Sequence, residues 1–181
     1  MKKEVYDCLT KKNYDLEHLH RLHTSFTIRL EEVDIKVPMV AMFSNHCYTA
    51  SRKEGQPNEA VLYEEQRHNG EIDERVFCLP RWKSSRHLPQ TINELHNKRC
   101  LLGNGAVFYR QEGVPSRNNH AGWYICACLG VSNSHKNLTL NVRSLHWREN
   151  RPSGLRGHPR PFFAILTDYY RKQRGKRDWL E

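Results

Sequence analysis

Residues 43–49 read Phe-Ser-Asn-His-Cys-Tyr-Thr, a row in which almost every side chain can do chemistry. His46 suits a general acid or base, since histidine is the side chain type whose ordinary charge change lies near neutral pH. Cys47 is a possible nucleophile, but an extended chain turns adjacent His46 to the opposite face, so a small core cysteine is the better reading. Tyr48 adds a hydrogen-bonding hydroxyl, and Arg52 follows shortly after. A second group lies at 77–89, Phe-Cys-Leu-Pro-Arg-Trp-Lys-Ser-Ser-Arg-His-Leu-Pro. There Arg81, Lys83 and Arg86 offer cations to phosphate, Trp82 offers a ring for base stacking, and Ser85 offers a hydroxyl. A third group, Arg143, His146, Trp147 and Arg148, leads into a loop at 148–160 that carries Arg151, Arg156, His158 and Arg160. Basic residues interleaved with an aromatic suit single-stranded nucleic acid. A solvated arginine-rich loop is the plain alternative for both basic groups.

Together these residue types fit metal-independent cleavage of RNA. A base takes the 2′-hydroxyl proton, an acid protonates the leaving oxygen, and cations stabilise the charged phosphorane. In that reading His46 is the acid or base. Arg81, with Arg52 and Arg143, holds the phosphate, and Ser85 and Tyr48 supply hydrogen bonds. The expected nucleic-acid contacts are Arg52, Trp82, Lys83, Arg86, Arg143, His146, Trp147 and Arg148. No cofactor and no metal are expected. The six cysteines contain no CxxC pair, and no acidic pair is placed as in metal nucleases. The alternative is a non-catalytic module that binds nucleic acid or protein.

The bulk composition agrees with a polyanionic partner. Lys and Arg number 29 against 20 Asp and Glu, a formal charge of +9. RNA or another nucleic acid is the expected partner, with a protein partner as a second possibility. No apolar run approaches the roughly 20 residues that cross a bilayer. The N-terminus has lysines but no apolar stretch behind them, so a cytoplasmic protein that does not engage membranes is expected. Reduced, unpaired thiols follow from that compartment.

The elements that must position these groups are partly legible. Val5, Cys8, Leu9, Leu16, Leu19 and Leu22 recur at helical spacing, so 3–22 reads as one or two short helices. Phe26, Ile28 and Leu30, then Val33, Ile35, Val37, Met39, Ala41 and Phe43, alternate strictly. This reads as a β-hairpin, the break in phase at Glu31-Glu32 marking its turn or a bulge, with Pro38 marking an edge or kink. Residues 50–74 read as a long polar loop around a short strand or helical turn at 60–64. Residues 75–82 read as a strand and 83–100 as a central helix, with Ser85 as N-cap and Pro89 in its first turn. Strands at 105–112, 123–131 and 138–147 form a meander in which 123–131, apolar on both faces, is central. Between the first two, 113–122 is a turn-rich loop. Residues 162–170 fit a strand or a helix equally. The sum is an α+β plan: N-terminal helix or helices, a β-hairpin, one central helix and an antiparallel meander in one sheet-based domain, 1–181. The basic segment 171–181 is a candidate flexible tail.

The segments FSNHCYT (43–49), FCLPRWKSSRHLP (77–89) and LTLNVRSLHW (138–147) resemble a group of small bacterial proteins labelled stationary-phase growth adaptation or heat-shock-related proteins. The resemblance spans residues 40–147. It implies that His46, Cys47, Arg81 and Ser85 belong to one site, and it suggests a stress-response setting without assigning an activity. In plan alone, N-terminal helices followed by a meander are similar to toxin-like ribonucleases of the RelE/barnase type. The long loop and the early hairpin are extra to that plan.

Overall fold

The computed structural model describes residues 3–103, 105–111, 120–134, 136–152, 155–174 and 176. Residues 112–119 of the expected strand end and turn-rich loop, and 177–181 of the basic tail, lie outside the described residues.

The N-terminus is not helical. Strands β1 (Glu4–Asp7) and β2 (Lys12–Asp15) pair as a small antiparallel ribbon, followed by a 3₁₀ turn at Glu17–Leu19. Val5 and Asp7 are buried while Tyr6 is exposed, so the local period is two. Lys11, at φ 55°, turns the chain between the two strands. The helix-like spacing arose because two short strands and a turn happen to space their leucines that way. Leu9, counted in the expected stripe, is exposed.

The hairpin is as the alternation requires. β3 (Leu22–Leu30) and β4 (Val33–Phe43) pair in register from Leu22↔Ala41 to Leu30↔Val33. Glu31 and Glu32 both take positive φ, at 48° and 67°, which is the geometry of a two-residue I′ connection. Pro38 is not on an outer strand. It sits one residue before Met39, where the neighbouring strand on the other side begins to pair.

The expected 50–74 loop is a second small sheet. β5 (Thr49–Ser51), β6 (Val61–Gln66) and β7 (Ile72–Phe77) lie in the order β5-β7-β6. The strand expected at 75–82 ends at Phe77, because Pro80 opens a helix in its first turn. The central helix is two pieces, α1 (Leu79–Ser85) and α2 (Leu88–Asn93). Ser85 therefore closes the first helix instead of capping the second. A 3₁₀ turn at Leu95–Asn97 leads into β8 (Arg99–Gly103).

The main sheet adds β9 (Ala106–Arg110), β10 (Gly122–Ser132), β11 (Asn137–Arg148) and β12 (Arg156–Pro161). Its seven strands run β12-β8-β9-β10-β11-β4-β3 and curl into a half-barrel. β10 is central, as its two apolar faces require. The β11–β4 pair is parallel, so the sheet is mixed and not a pure antiparallel meander. α3 (Phe162–Arg174) is a C-terminal helix; it settles the open choice at 162–170 and packs its buried face against β3. Phe162 meets Phe26 at 5.6 Å between ring centroids. Among the described residues the fold is thus mostly β, with 51% strand and three helices, the longest of them C-terminal, in place of the N-terminal-helix plan. No described helix is long and apolar enough to cross a membrane.

β11 carries one irregularity. Cys126 pairs with Ser144 but Ala127 pairs with Val142, so Arg143 is an extra residue bulged out of the strand. Leu138, Leu140 and Val142 face the core before it, and Leu145 faces the core after it. The bulge thereby shifts the alternation by one residue and carries His146 to the face away from Leu145.

Candidate functional site

After Phe43 the chain leaves the sheet and winds into a 3₁₀ turn, Asn45–Cys47. Ser44 makes the turn: its Oγ accepts from the His46 N–H at 3.2 Å and donates to the Arg143 carbonyl at 2.5 Å. Thr49 Oγ1 donates to the Asn45 carbonyl at 2.9 Å. A turn does not alternate its side chains, so the expected opposition of His46 and Cys47 across a strand is replaced by a different divergence. Cys47 goes inward, is 0% exposed, and lies 3.8 Å from the Val142 carbonyl. Burial pushes its thiol up to about 12, which leaves it protonated and unreactive at neutral pH. His46 goes outward to β6.

There it meets a carboxylate. His46 Nε2 lies 2.6 Å from Glu65 Oε2, and Asn45 Nδ2 donates to Glu65 Oε1 at 2.6 Å. Burial alone would raise the Glu65 carboxyl, but the bonds from Asn45 and His46 and the nearby charges of His46 and Arg75 outweigh it and hold it below its ordinary range. A carboxylate at Nε2 selects the tautomer with its proton there and leaves Nδ1 with the lone pair. The pair is 28% and 34% exposed, so solvent or a ligand can reach it.

Arg81, from α1, ties this turn to the end of β11. Its Nη1 donates to the Thr49 carbonyl at 2.6 Å and to the His46 carbonyl at 3.3 Å. Its Nη2 lies 2.9 Å from His146 Nδ1. A guanidinium only donates, so Nδ1 accepts and the His146 proton resides on Nε2. Burial, then the charges of Arg81, Arg148, His46 and Arg75, lower His146 to about 4, and it is neutral at pH 7. Arg75 is 4% exposed and paired to Asp73 at 3.0 Å, and it also donates to the Thr49 carbonyl. Among the described residues no carboxylate pairs with Arg81. Three cations and two histidines thus share one partly buried corner whose central guanidinium has no counter-ion, an arrangement that attracts an anion.

The model of the YjaZ family matches residues 5–170, which takes in every strand of this corner. The chain belongs to the YjaZ family. No curated protein and no solved structure matches it.

In this YjaZ-family chain the expected site residues divide into groups. His46, Arg81 and His146 come together, and exposed Arg148 acts on both Arg81 and His146. Tyr48 is near but 1% exposed, and its hydroxyl is spent on Tyr63 at 2.6 Å. Ser85 is elsewhere: it is fully buried, donates to the Trp82 carbonyl and contacts His18 Nε2 at 2.8 Å. Trp82 is bound to the N-terminal ribbon through the Asp15 carbonyl, with Arg86 5.2 Å over its ring. Arg52 is committed to Glu74 and to the 56–58 loop. Arg143 contributes its carbonyl to the turn, while its exposed side chain points toward Cys128. Lys83 is exposed on α1, and Trp147 packs edge-on to Trp123. Sequence reasoning missed Glu65 and Arg75. Both lie on strands of the small sheet, and nothing local to 50–74 announced that sheet. Among the described residues no group of three or more His, Cys, Asp or Glu could hold a metal ion.

Proposed function

We propose that this chain acts on RNA as a metal-independent, toxin-like ribonuclease centred on His46. The observation that carries the reading is the Arg81 bridge, which joins the His46 carbonyl to the His146 ring across three separate segments of chain. His46 Nδ1, oriented by Glu65 at Nε2, takes the 2′-hydroxyl proton. The 2′-oxygen attacks phosphorus, and the 5′-oxygen leaves with a proton from water. His146 donates from Nε2 to a phosphoryl oxygen, and Arg148 meets the phosphate charge. Arg81 has most of its donors committed within the protein, so it is a positioning residue that lends charge.

The test is cleavage of single-stranded RNA by the purified chain. His46→Ala should remove turnover while leaving the melting temperature nearly unchanged, because the side chain is part-exposed and Ser44 holds the turn through backbone groups. Glu65→Gln should lower kcat more than it raises KM. Cleavage by His46→Ala at the wild-type rate excludes His46 as the base.

A second reading, a binding module without catalysis, is favoured by the Arg86–Trp82 stack and by exposed Arg143 and Arg148, which suit a passing strand. RNA binding with a steep salt dependence and no turnover would select it.

A further inference from the structure

We propose that the cleft between α1, α2 and the adjoining ends of β9 and β10 binds a nucleobase carrying a single phosphate. It is separate from the His46 corner. Trp123 pairs with Trp147, whereas Tyr124 pairs with His146, so the cleft tryptophan and His146 occupy opposite faces of the sheet.

The cleft has a volume of about 550 Å³, within the range of small-molecule sites. Its polar feature is an amide. Gln111 is 7% exposed, and its Oε1 accepts from buried Ser84 Oγ at 2.7 Å. The other end, Nε2, is buried and has no hydrogen-bond partner among the described residues. A buried N–H without a partner is costly, and a ligand acceptor would remove that cost. The rings of Tyr109 and Trp123 line the same space. Trp123 is steadied by Trp147 at 5.9 Å, and its carbonyl accepts from the Gln111 N–H at 2.8 Å, so amide and indole are held side by side. An aromatic ring beside an amide with a free N–H is how single bases are held: stacking on the ring and an edge read by hydrogen bonds.

The rim supplies the charge. Lys83 and His87, both exposed, flank the cleft mouth. Glu94 also lines the cleft, bonded by Gln90 at 2.9 Å, and its charge disfavours a polyphosphate chain. The free amide N–H needs an acceptor on the base edge, and every nucleobase offers one, a ring carbonyl on uracil or guanine and a ring nitrogen on adenine, so the cleft takes a nucleotide without selecting one base.

Titration of the full chain with UMP, GMP and AMP, followed by tryptophan fluorescence and calorimetry, tests this without any turnover. UMP, GMP and AMP should each bind. Gln111→Leu should weaken all three about tenfold, the scale of one lost hydrogen bond. Lys83→Ala, an exposed change that leaves the fold intact, should weaken UMP but not uridine. Trp123→Ala should weaken all bases about 5- to 150-fold, the cost of one lost stack. A short oligouridylate separates the sources: equal affinity for UMP means a free nucleotide, and much tighter oligouridylate binding means a base within RNA; both uphold the site. No nucleotide binding at millimolar concentration overturns it, as does binding that Gln111→Leu and Lys83→Ala leave unchanged. A chain that cleaves no RNA yet binds nucleotides in a Gln111-dependent way upholds the cleft and refutes only the ribonuclease reading.

Discussion

His146 should make the protein lose stability in mild acid, by an amount that can be isolated. Its pKa falls from 6.5 to about 4 on folding, through burial first and then through Arg81 and the other cations. At full effect that fall is worth about 3 kcal/mol, and partial exposure of the ring to solvent reduces it to about 1.5 kcal/mol. The sign follows from proton uptake. Below pH 6.5 the unfolded chain takes up a proton that the folded chain refuses until pH 4. The contribution is therefore complete above pH 6.5, drains away as pH falls from 6.5 toward 4, and changes no further below that. Urea unfolding of the wild type and of His146→Gln, at pH 7.5 and pH 4.5, measures it. The stability difference, wild type minus variant, should shrink by about 1.5 kcal/mol at the lower pH. Glu65 and Asp73, whose carboxyls are also held low, destabilise both proteins alike in acid and cancel in that difference. An NMR titration of the His146 ring should place its midpoint clearly below 6.5, and Arg81→Met should move it back toward 6.5. A wild-type midpoint at or above 6.5, or a difference that ignores pH, would refute both the Arg81–Nδ1 bond and the tautomer derived from it.

Other consequences are simpler to check. Cys47 and Cys100 are 0% exposed with thiols pushed up to about 12, so a thiol reagent should reach both only after denaturant is added. Labelling of Cys47 in the native protein as fast as in the unfolded chain would contradict its burial. Leu140→Ala, at a fully buried position, should cost about 2–5 kcal/mol by chemical denaturation. A loss below 1 kcal/mol would show that β11 is misplaced. Tyr48→Phe should cost about 1 kcal/mol through the lost bond to Tyr63 and leave RNA turnover in place, since that hydroxyl faces its partner and not the corner.

The strict alternation on either side of Glu31-Glu32, from Phe26 to Phe43, was enough to find the β3–β4 hairpin and its core face. The two apolar faces of 123–131 were enough to place β10 centrally. Helical spacing over 3–22 misled, because in short elements a few leucines fit either period and pairing partners decide between them. Pro80 carried a helix-start signal that the strand reading of 75–82 passed over.

For the site, residue type alone nominated His46, Arg81, His146 and Arg148, since titratable and cationic groups show their chemistry in any context. The same criterion also nominated Ser85, Tyr48 and Arg52, which folding assigns to internal bonds. What decided membership was non-local. Glu65 reaches His46 because β6 joins the small sheet, and His146 reaches Arg81 because one extra residue at Arg143 turns the end of β11 over. Sequence period reports only which way a side chain points relative to its own neighbours. Which distant charge it then meets depends on strand order and register, and those are set by the packing of the whole core.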